Sequence, residues 1–206
     1  MAVEPEQAPD SGREGVRQAG ALLIAGLALL LSISGIGDSN STEAGARNNV
    51  LAADTFAWYQ AKNIRQTAYQ LARDDLETLI ETGGASLSAP QQARLRERLD
   101  EYEAEIARYE SEPDPADPDN LLKGEGKVQL LAQAQDYQEQ RAAAGRRGNS
   151  FDYATITSGL GIVIASAGVL LASRAFLVAA AALGMATLLL LFNAALNVVD
   201  VGFFIT

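Results

Sequence analysis

The sequence predicts an all-α protein with three transmembrane helices and an extramembrane antiparallel helical hairpin (a coiled coil) inserted between spans one and two. Three runs of at least 19 residues contain no charged side chain. The polar region between the first two runs carries apolar residues at coiled-coil spacing. The 206 residues include neither cysteine nor histidine. Their absence excludes disulfides, thiolate or imidazole catalysis, and the usual zinc sites.

The three uncharged runs are residues 19–37, 155–173 and 175–199. A helix rises about 1.5 Å per residue, so roughly 20 residues cross a hydrocarbon core about 30 Å thick. The first run has the alternative of a cleaved signal peptide. It is long for such a segment and SISGIG is a poor cleavage site, so we interpret it as an uncleaved anchor. Arg174 is the only charge between the second and third runs, which predicts a tight turn there.

Residues 38–154 form a polar region with 21 acidic and 13 basic side chains, which accounts for −8 of the net charge of −10. Two stretches repeat small, apolar or aromatic residues every 3.5 positions, as helices of a coiled coil do. One hairpin would bury only a narrow stripe, so we expect further helices of this chain or of a partner to complete the bundle. The predicted interface residues are Ala57, Ala61, Ile64, Ala68 and Leu71, then Leu95, Leu99, Tyr102, Ile106 and Tyr109.

Capping and breaking residues predict where these helices end. Glycines 83 and 84 end the first helix, and Ser88 with Gln91 three residues later forms a capping box for the second. Residues 110–120 contain three prolines and five acids, which predicts an acidic hinge. A shorter helix is predicted over residues 127–144, with a break at 145–148. Residues 1–18 read as a disordered tail and 200–206 as a C-terminal tail.

Small residues in the spans recur at steps of four and three, which allows close packing of membrane helices. The alternative is a chance stripe in an alanine- and glycine-rich sequence. In the third span Asn193, Asn197 and Asp200 stand at i, i+4 and i+7, as on a polar helix face, unless the last two already lie at the membrane surface. The predicted packing residues are Ala21, Ala25, Ala28 and Ser32 in the first span, and Gly161, Ala165, Gly168 and Ala172 in the second.

No residues are predicted to be catalytic, to bind a cofactor or to hold a metal. The carboxylates of the polar region alternate with arginines, as on a solvated coiled-coil face, and residues 124–127 lack the strand and spacing of a phosphate loop. Trp58 and Tyr59 are predicted as an anchor for a partner, with a place in the core of a helix bundle as the alternative. The net charge disfavours nucleic-acid binding.

The side of the membrane is poorly determined by the positive-inside rule. Three basic residues flank the span ends on one side and four on the other. We predict an N-terminus inside and the coiled coil outside the cytoplasm, although the pair Arg146 and Arg147 favours the reverse.

Four stretches carry a family resemblance: the first span at residues 19–37, DTFAWYQAKNIRQ at 54–66, IARYE at 106–110 and FDYA at 151–154. They resemble a bacterial membrane-protein family described only as a domain of unknown function, four-three-three-seven. The resemblance implies three spans around a helical hairpin domain and brings no known activity. The chain departs from the family at residues 110–120, where the family tends to continue a charged helix.

These observations predict a multi-pass protein of the bacterial inner membrane without enzymatic activity or cofactor. Its predicted role is that of a scaffold or accessory subunit. It would assemble through the coiled coil and the small-residue faces, as a homo-oligomer or with a membrane-protein partner in the lipid bilayer. The alternative function is a homo-oligomeric channel or transport component.

Overall fold

The structure, a computed structural model, describes residues 11–83 and 86–201. Over these residues it contains four helices and no strand, which confirms the predicted all-α class. The helices are α1 (Ser11–Gly83), α2 (Ala89–Glu110), α3 (Lys127–Leu171) and α4 (Arg174–Leu196). The chain divides into two compact units, one formed by Met1–Gly45 with Ala142–Thr206 and the other by Ala46–Arg141.

Helix α1 begins earlier than the sequence predicted. The predicted disordered tail covered residues 1–18, but residues 11–18 are helical. The last proline before the helix is Pro9, so nothing after it blocks helix formation, and Glu14 in the first turn interacts favourably with the helix dipole. Residues 1–10 of that predicted tail, and 202–206 of the C-terminal one, lie outside the described residues.

Helix α2 begins where the sequence predicted. Ser88 precedes it with an extended backbone (φ −67°, ψ 154°), and its N–H donates to the Gln91 side-chain oxygen at 2.9 Å. Pro90 stands in the first turn, where its missing N–H costs no hydrogen bond. After Glu110 the chain leaves the helix, and residues 111–126 form turns.

Helix α3 runs without interruption through residues 145–148, where a break was predicted. That prediction is wrong because an isolated glycine costs a helix only about 1 kcal/mol, whereas arginine favours it. Gly145 also has open space around its Cα, so no close approach of another segment requires a glycine there.

The first unit packs around Leu27, which is 1% exposed. A side-chain methyl group at Gly161 of α3 would lie 3.1 Å from Leu27, and one at Gly184 of α4 would lie 3.2 Å from it. The two glycines therefore leave the space that Leu27 fills. Ala165 and Ala180, both fully buried, complete the cluster.

The turn between α3 and α4 has almost no loop, as predicted. Ala172 adopts a left-handed conformation (φ 49°), and the Ser173 N–H donates to the Gly168 carbonyl at 2.9 Å. This is the hydrogen-bond pattern of a Schellman helix end, in which alanine takes the place of the usual glycine.

Helix α4 ends at Leu196, three residues before the predicted end of the third span. Asn197 is left-handed (φ 52°), and the Asn193 side chain both accepts from the Val199 N–H at 2.8 Å and donates to the Val199 carbonyl at 2.9 Å. Asn193 also donates to Ser150 Oγ at 2.9 Å. The predicted polar stripe is therefore not one helix face, because Asp200 lies beyond the helix.

Three helices in the described part of the chain are long and apolar enough to cross a membrane: α1, α3 and α4. In the most apolar 18-residue segments of α1, α3 and α4, 17%, 28% and 17% of the segment is buried within the chain. Most of this apolar surface is thus left exposed by the chain itself.

Candidate functional site

The second unit is held together by a buried glutamine. Gln66 of α1 is 4% exposed, and its side-chain amide donates to the Ile106 carbonyl at 3.0 Å and to Glu110 at 2.9 Å. Its side-chain oxygen accepts from Lys127 Nζ at 2.7 Å. One side chain therefore joins α1, the end of α2 and the start of α3.

Ion pairs extend this cluster. Lys62 lies 2.9 Å from Glu112, and Lys127 lies 3.1 Å from Glu110. The hydrogen bond from Gln66, followed by that from Lys127, lowers the pKa of Glu110. The hydrogen bond from Lys62 lowers the pKa of Glu112, against the opposing effect of burial. The carboxylates therefore stay ionised and keep their partners at neutral pH.

Aromatic rings continue the contact between α1 and α2. The ring of Tyr69 lies 5.6 Å from that of Tyr102 and 5.8 Å from that of Tyr109, measured between centroids. Lys62 contacts Glu112, Gln66 contacts Ile106, and Tyr69 contacts Tyr102. Later residues of α1 therefore contact earlier residues of α2 and of the segment that follows it.

The structure does not bring the two halves of the predicted seam together. The α2 half is turned inward: Tyr109 is buried, and the other members are half-buried. The α1 half is turned outward, with Ile64 69% and Leu71 61% exposed. We call this exposed half the α1 stripe; its members are Ala57, Ala61, Ile64, Ala68 and Leu71.

Helix α1 has two faces that repeat every seven residues. The more hydrophobic face was predicted to pack, but the other face is the one that packs inside the chain. The inward face repeats every seven residues as Ala52, Tyr59, Gln66 and Arg73, of which Ala52 and Gln66 are buried. It is the more polar of the two faces. It packs inward because the partners of Lys62 and Gln66 on other elements satisfy its polar groups.

The predicted anchor residues separate. Trp58 is 61% exposed, whereas Tyr59 is half-buried with Lys127 Nζ 5.9 Å from its ring centroid. Trp58 lines a cavity of about 420 Å³ within the second unit, together with Asp54 of α1 and Glu125 before α3. Tyr59 thus belongs to the packing of the unit, and Trp58 to its surface.

The predicted packing residues of the spans also divide between two environments. In α3, Gly161, Ala165 and Gly168 are buried, and Ala172 at the turn is half-buried. In α1 the packing face is instead formed by Gly20, Leu27, Ser34 and Ser41, seven residues apart. The predicted α1 set is exposed: Ala21, Ala25, Ala28 and Ser32.

The glycine-rich segment 124–127 has a structural explanation. Gly124 has a positive φ of 99°, and a side chain there would overlap the backbone of Glu112. Lys127 is occupied by Gln66 and Glu110. The segment therefore lets the chain pass close to the end of α2.

Sequence reasoning missed the residues that hold the second unit together, namely Lys62, Gln66, Glu112 and Lys127. It also missed the α4 packing residues Gly184 and Thr187, although 180, 184, 187 and 194 follow steps of four, three and seven. Among the described residues, no group of three or more His, Cys, Asp or Glu side chains is arranged to hold a metal ion.

Comparison with known protein families matches residues 16–197 to a family described as "Domain of unknown function (DUF4337)". The chain belongs to this family. The match covers all of α2, α3 and α4 and most of α1, so the DUF4337 family is defined over both units. No curated protein and no solved structure matches the chain.

Proposed function

We propose that this DUF4337 protein is a non-enzymatic membrane scaffold whose copies associate through the α1 stripe. In this proposal the apolar parts of α1, α3 and α4 cross the bacterial inner membrane. The part of α1 beyond its apolar segment forms an antiparallel hairpin with α2 outside the bilayer, on the extracytoplasmic side. The single observation that carries the proposal is the exposure of Ile64 and Leu71 on a heptad repeat that no other element covers in the described part of the chain.

Charge favours a second copy as the occupant of the stripe. The chain carries a net charge of −10, so most of its surface repels another copy. Beside the stripe, the heptad positions that flank the contact carry only Arg65 and Asp74 as charges. In a parallel pair, the flanking position before each heptad a residue faces the flanking position five residues further along the partner helix. Gln60 would therefore face Arg65, and Asp74 would face Leu79. Between residues 57 and 72 no like charges would meet, whereas Asp54 and Asp75, the next positions of the same repeat, would each face its own copy and so limit the contact to the stripe.

Membrane insertion favours the parallel arrangement. Two copies inserted in one bilayer with the same orientation present α1 in the same direction. Confinement to the membrane also raises their effective concentration relative to each other. The alanines at 57, 61 and 68 would let the helix backbones approach closely, with Ile64 and Leu71 as the larger contacts.

Site-specific cross-linking tests this proposal, and the absence of native cysteine makes it unambiguous. In membranes of cells that express the full chain, Ile64→Cys should give a disulfide-linked dimer under mild oxidation, because a parallel pair places this position against itself. Asn63→Cys, on an exposed neighbouring position outside the stripe, is the matched control and should stay monomeric. Equal cross-linking of both variants, or of neither, would contradict the proposal.

The channel alternative draws no support from Asn193. Its amide is engaged by Ser150 and Val199, so it forms hydrogen bonds within the first unit instead of presenting a free polar group to a water path. Flux measurements in lipid vesicles, with Asn193→Leu as the variant, remain its direct test.

A further inference from the structure

The cavity beside Trp58 has the chemistry of a cation site. It has a volume of about 420 Å³ and lies within the second unit, between α1, the segment before α3 and α3 itself. Leu51 and Leu130 give it an apolar wall, and Gln133 donates to the Gly124 carbonyl at 2.9 Å, which fixes one rim. The acidic members of its lining are Asp54 and Glu125.

These carboxylates are weakly neutralised. Asp54 makes no hydrogen bond or ion pair with any other residue that the structure describes. The Glu125 side chain is 68% exposed, and its one cationic neighbour there, Lys62, lies 3.8 Å away while bound to Glu112 at 2.9 Å. The cavity therefore carries negative charge that the chain itself does not balance.

Trp58 adds an aromatic face to this charge. Elsewhere in the unit, cations already lie over rings, with Lys127 at 5.9 Å from Tyr59 and Lys62 at 6.0 Å from Tyr109. Over the described residues, the indole of Trp58 has no such cation. Tryptophan is the strongest of the aromatic side chains in attracting a cation to its face.

We propose that this cavity binds a small linear alkylamine with more than one ammonium group. The charged nitrogens would be attracted by Asp54, Glu125 and the indole of Trp58, and the aliphatic chain would lie against Leu51 and Leu130. A bare metal ion fits less well, because two carboxylates supply too few ligands and the volume far exceeds that of an ion. This inference goes beyond the scaffold role and does not require self-association.

The test uses the fluorescence of Trp58, the only tryptophan of the chain. The purified full chain in mild detergent is titrated with 1,4-diaminobutane, with butylamine, and with sodium chloride of equal ionic strength. We expect a saturable change in emission with the diamine, at a concentration about fivefold lower than with butylamine, which is the contribution of one partly exposed ion pair. Sodium chloride should give no saturable change.

Substitutions separate the cavity from general attraction to an acidic protein. Asp54→Asn and Glu125→Gln should each weaken diamine binding about fivefold. The matched control is Asp75→Asn, an exposed acid of the same helix outside the cavity, which should leave binding unchanged. Equal weakening by the control, equal affinity for butylamine, or no saturable change with the diamine would each overturn the proposal. Ile64→Asp, which disrupts the α1 stripe, should leave binding intact, so the two proposals fail independently.

Discussion

Replacing Gln66 with leucine should destabilise the second unit more than the same replacement of an exposed glutamine does. The substitution removes a hydrogen bond to the neutral Ile106 carbonyl, worth about 1 kcal/mol, and one to the largely buried ammonium of Lys127, worth about 1.5 to 3 kcal/mol. The bond to Glu110 counts for less, because this side chain is 54% exposed and keeps Lys127 at 3.1 Å. Burial of the leucine offsets about 1 kcal/mol, so the net loss should be about 1.5 to 3 kcal/mol.

Urea unfolding of the full chain in mild detergent, followed by Trp58 emission, measures this loss within the second unit. With a slope of about 1.5 kcal/mol per molar urea, the midpoint should fall by roughly 1 to 2 M. Gln135→Leu, on an exposed position of α3 in the same unit, is the control and should shift the midpoint by less than about 0.3 M. Equal shifts for the two variants would refute the role assigned to Gln66.

Three further predictions test packing, backbone geometry and charge. Leu27→Ala should lower the stability of the first unit by about 2 kcal/mol or more, because it empties the space between two glycines, and loss of helical circular dichroism should then begin at a lower fraction of sodium dodecyl sulfate. Gly124→Ala should lower the urea midpoint of the Trp58 signal, because the new methyl group overlaps backbone, whereas Gly145→Ala in open space should preserve or raise helix stability. The pKa values of Glu110 and Glu112 are lowered in the folded state, so their contribution to stability is full above the ordinary glutamate pKa of about 4.3 and is lost as the pH falls below it. An unfolding midpoint that is unchanged between pH 6 and pH 3 would contradict this.

Features of the sequence that act locally gave correct predictions. Uncharged runs predicted three helices long enough to cross a membrane, and Ser88 with Pro90 predicted the start of α2. Each of these depends on residues within one or two helical turns. The predicted break at 145–148 was wrong because isolated glycines weaken a long helix without ending it.

The choice of packing face depends on residues far away in the sequence, and there the hydrophobic pattern was misleading. In α1 the apolar stripe with Ile64 lies outward, whereas Gln66 is buried, because its partners at Ile106, Glu110 and Lys127 lie 40 to 61 residues further along the chain. The span of α1 shows the same effect, since alanines and glycines at similar spacing occupy more than one face. The sequence does contain the inward face as a seven-residue repeat through Gln66. A polar residue in such a repeat does not by itself predict burial.

The α2 half of the seam is unsuitable for testing association by substitution. Because Leu99 and Ile106 are half-buried within their own chain, replacing both with aspartate should unfold the second unit instead of testing association. Ile64 and Leu71 are exposed, so aspartate there should be tolerated by the folded chain. The α1 stripe is therefore the place at which self-association can be tested without loss of the fold.

Native mass spectrometry of the full chain in mild detergent tests the central proposal most directly. The wild-type chain should appear as a homo-oligomer of defined number, and the double variant Ile64→Asp, Leu71→Asp should appear as a folded monomer with unchanged helical circular dichroism. A monomeric wild-type chain, or an oligomer that survives both substitutions, would contradict association through the α1 stripe.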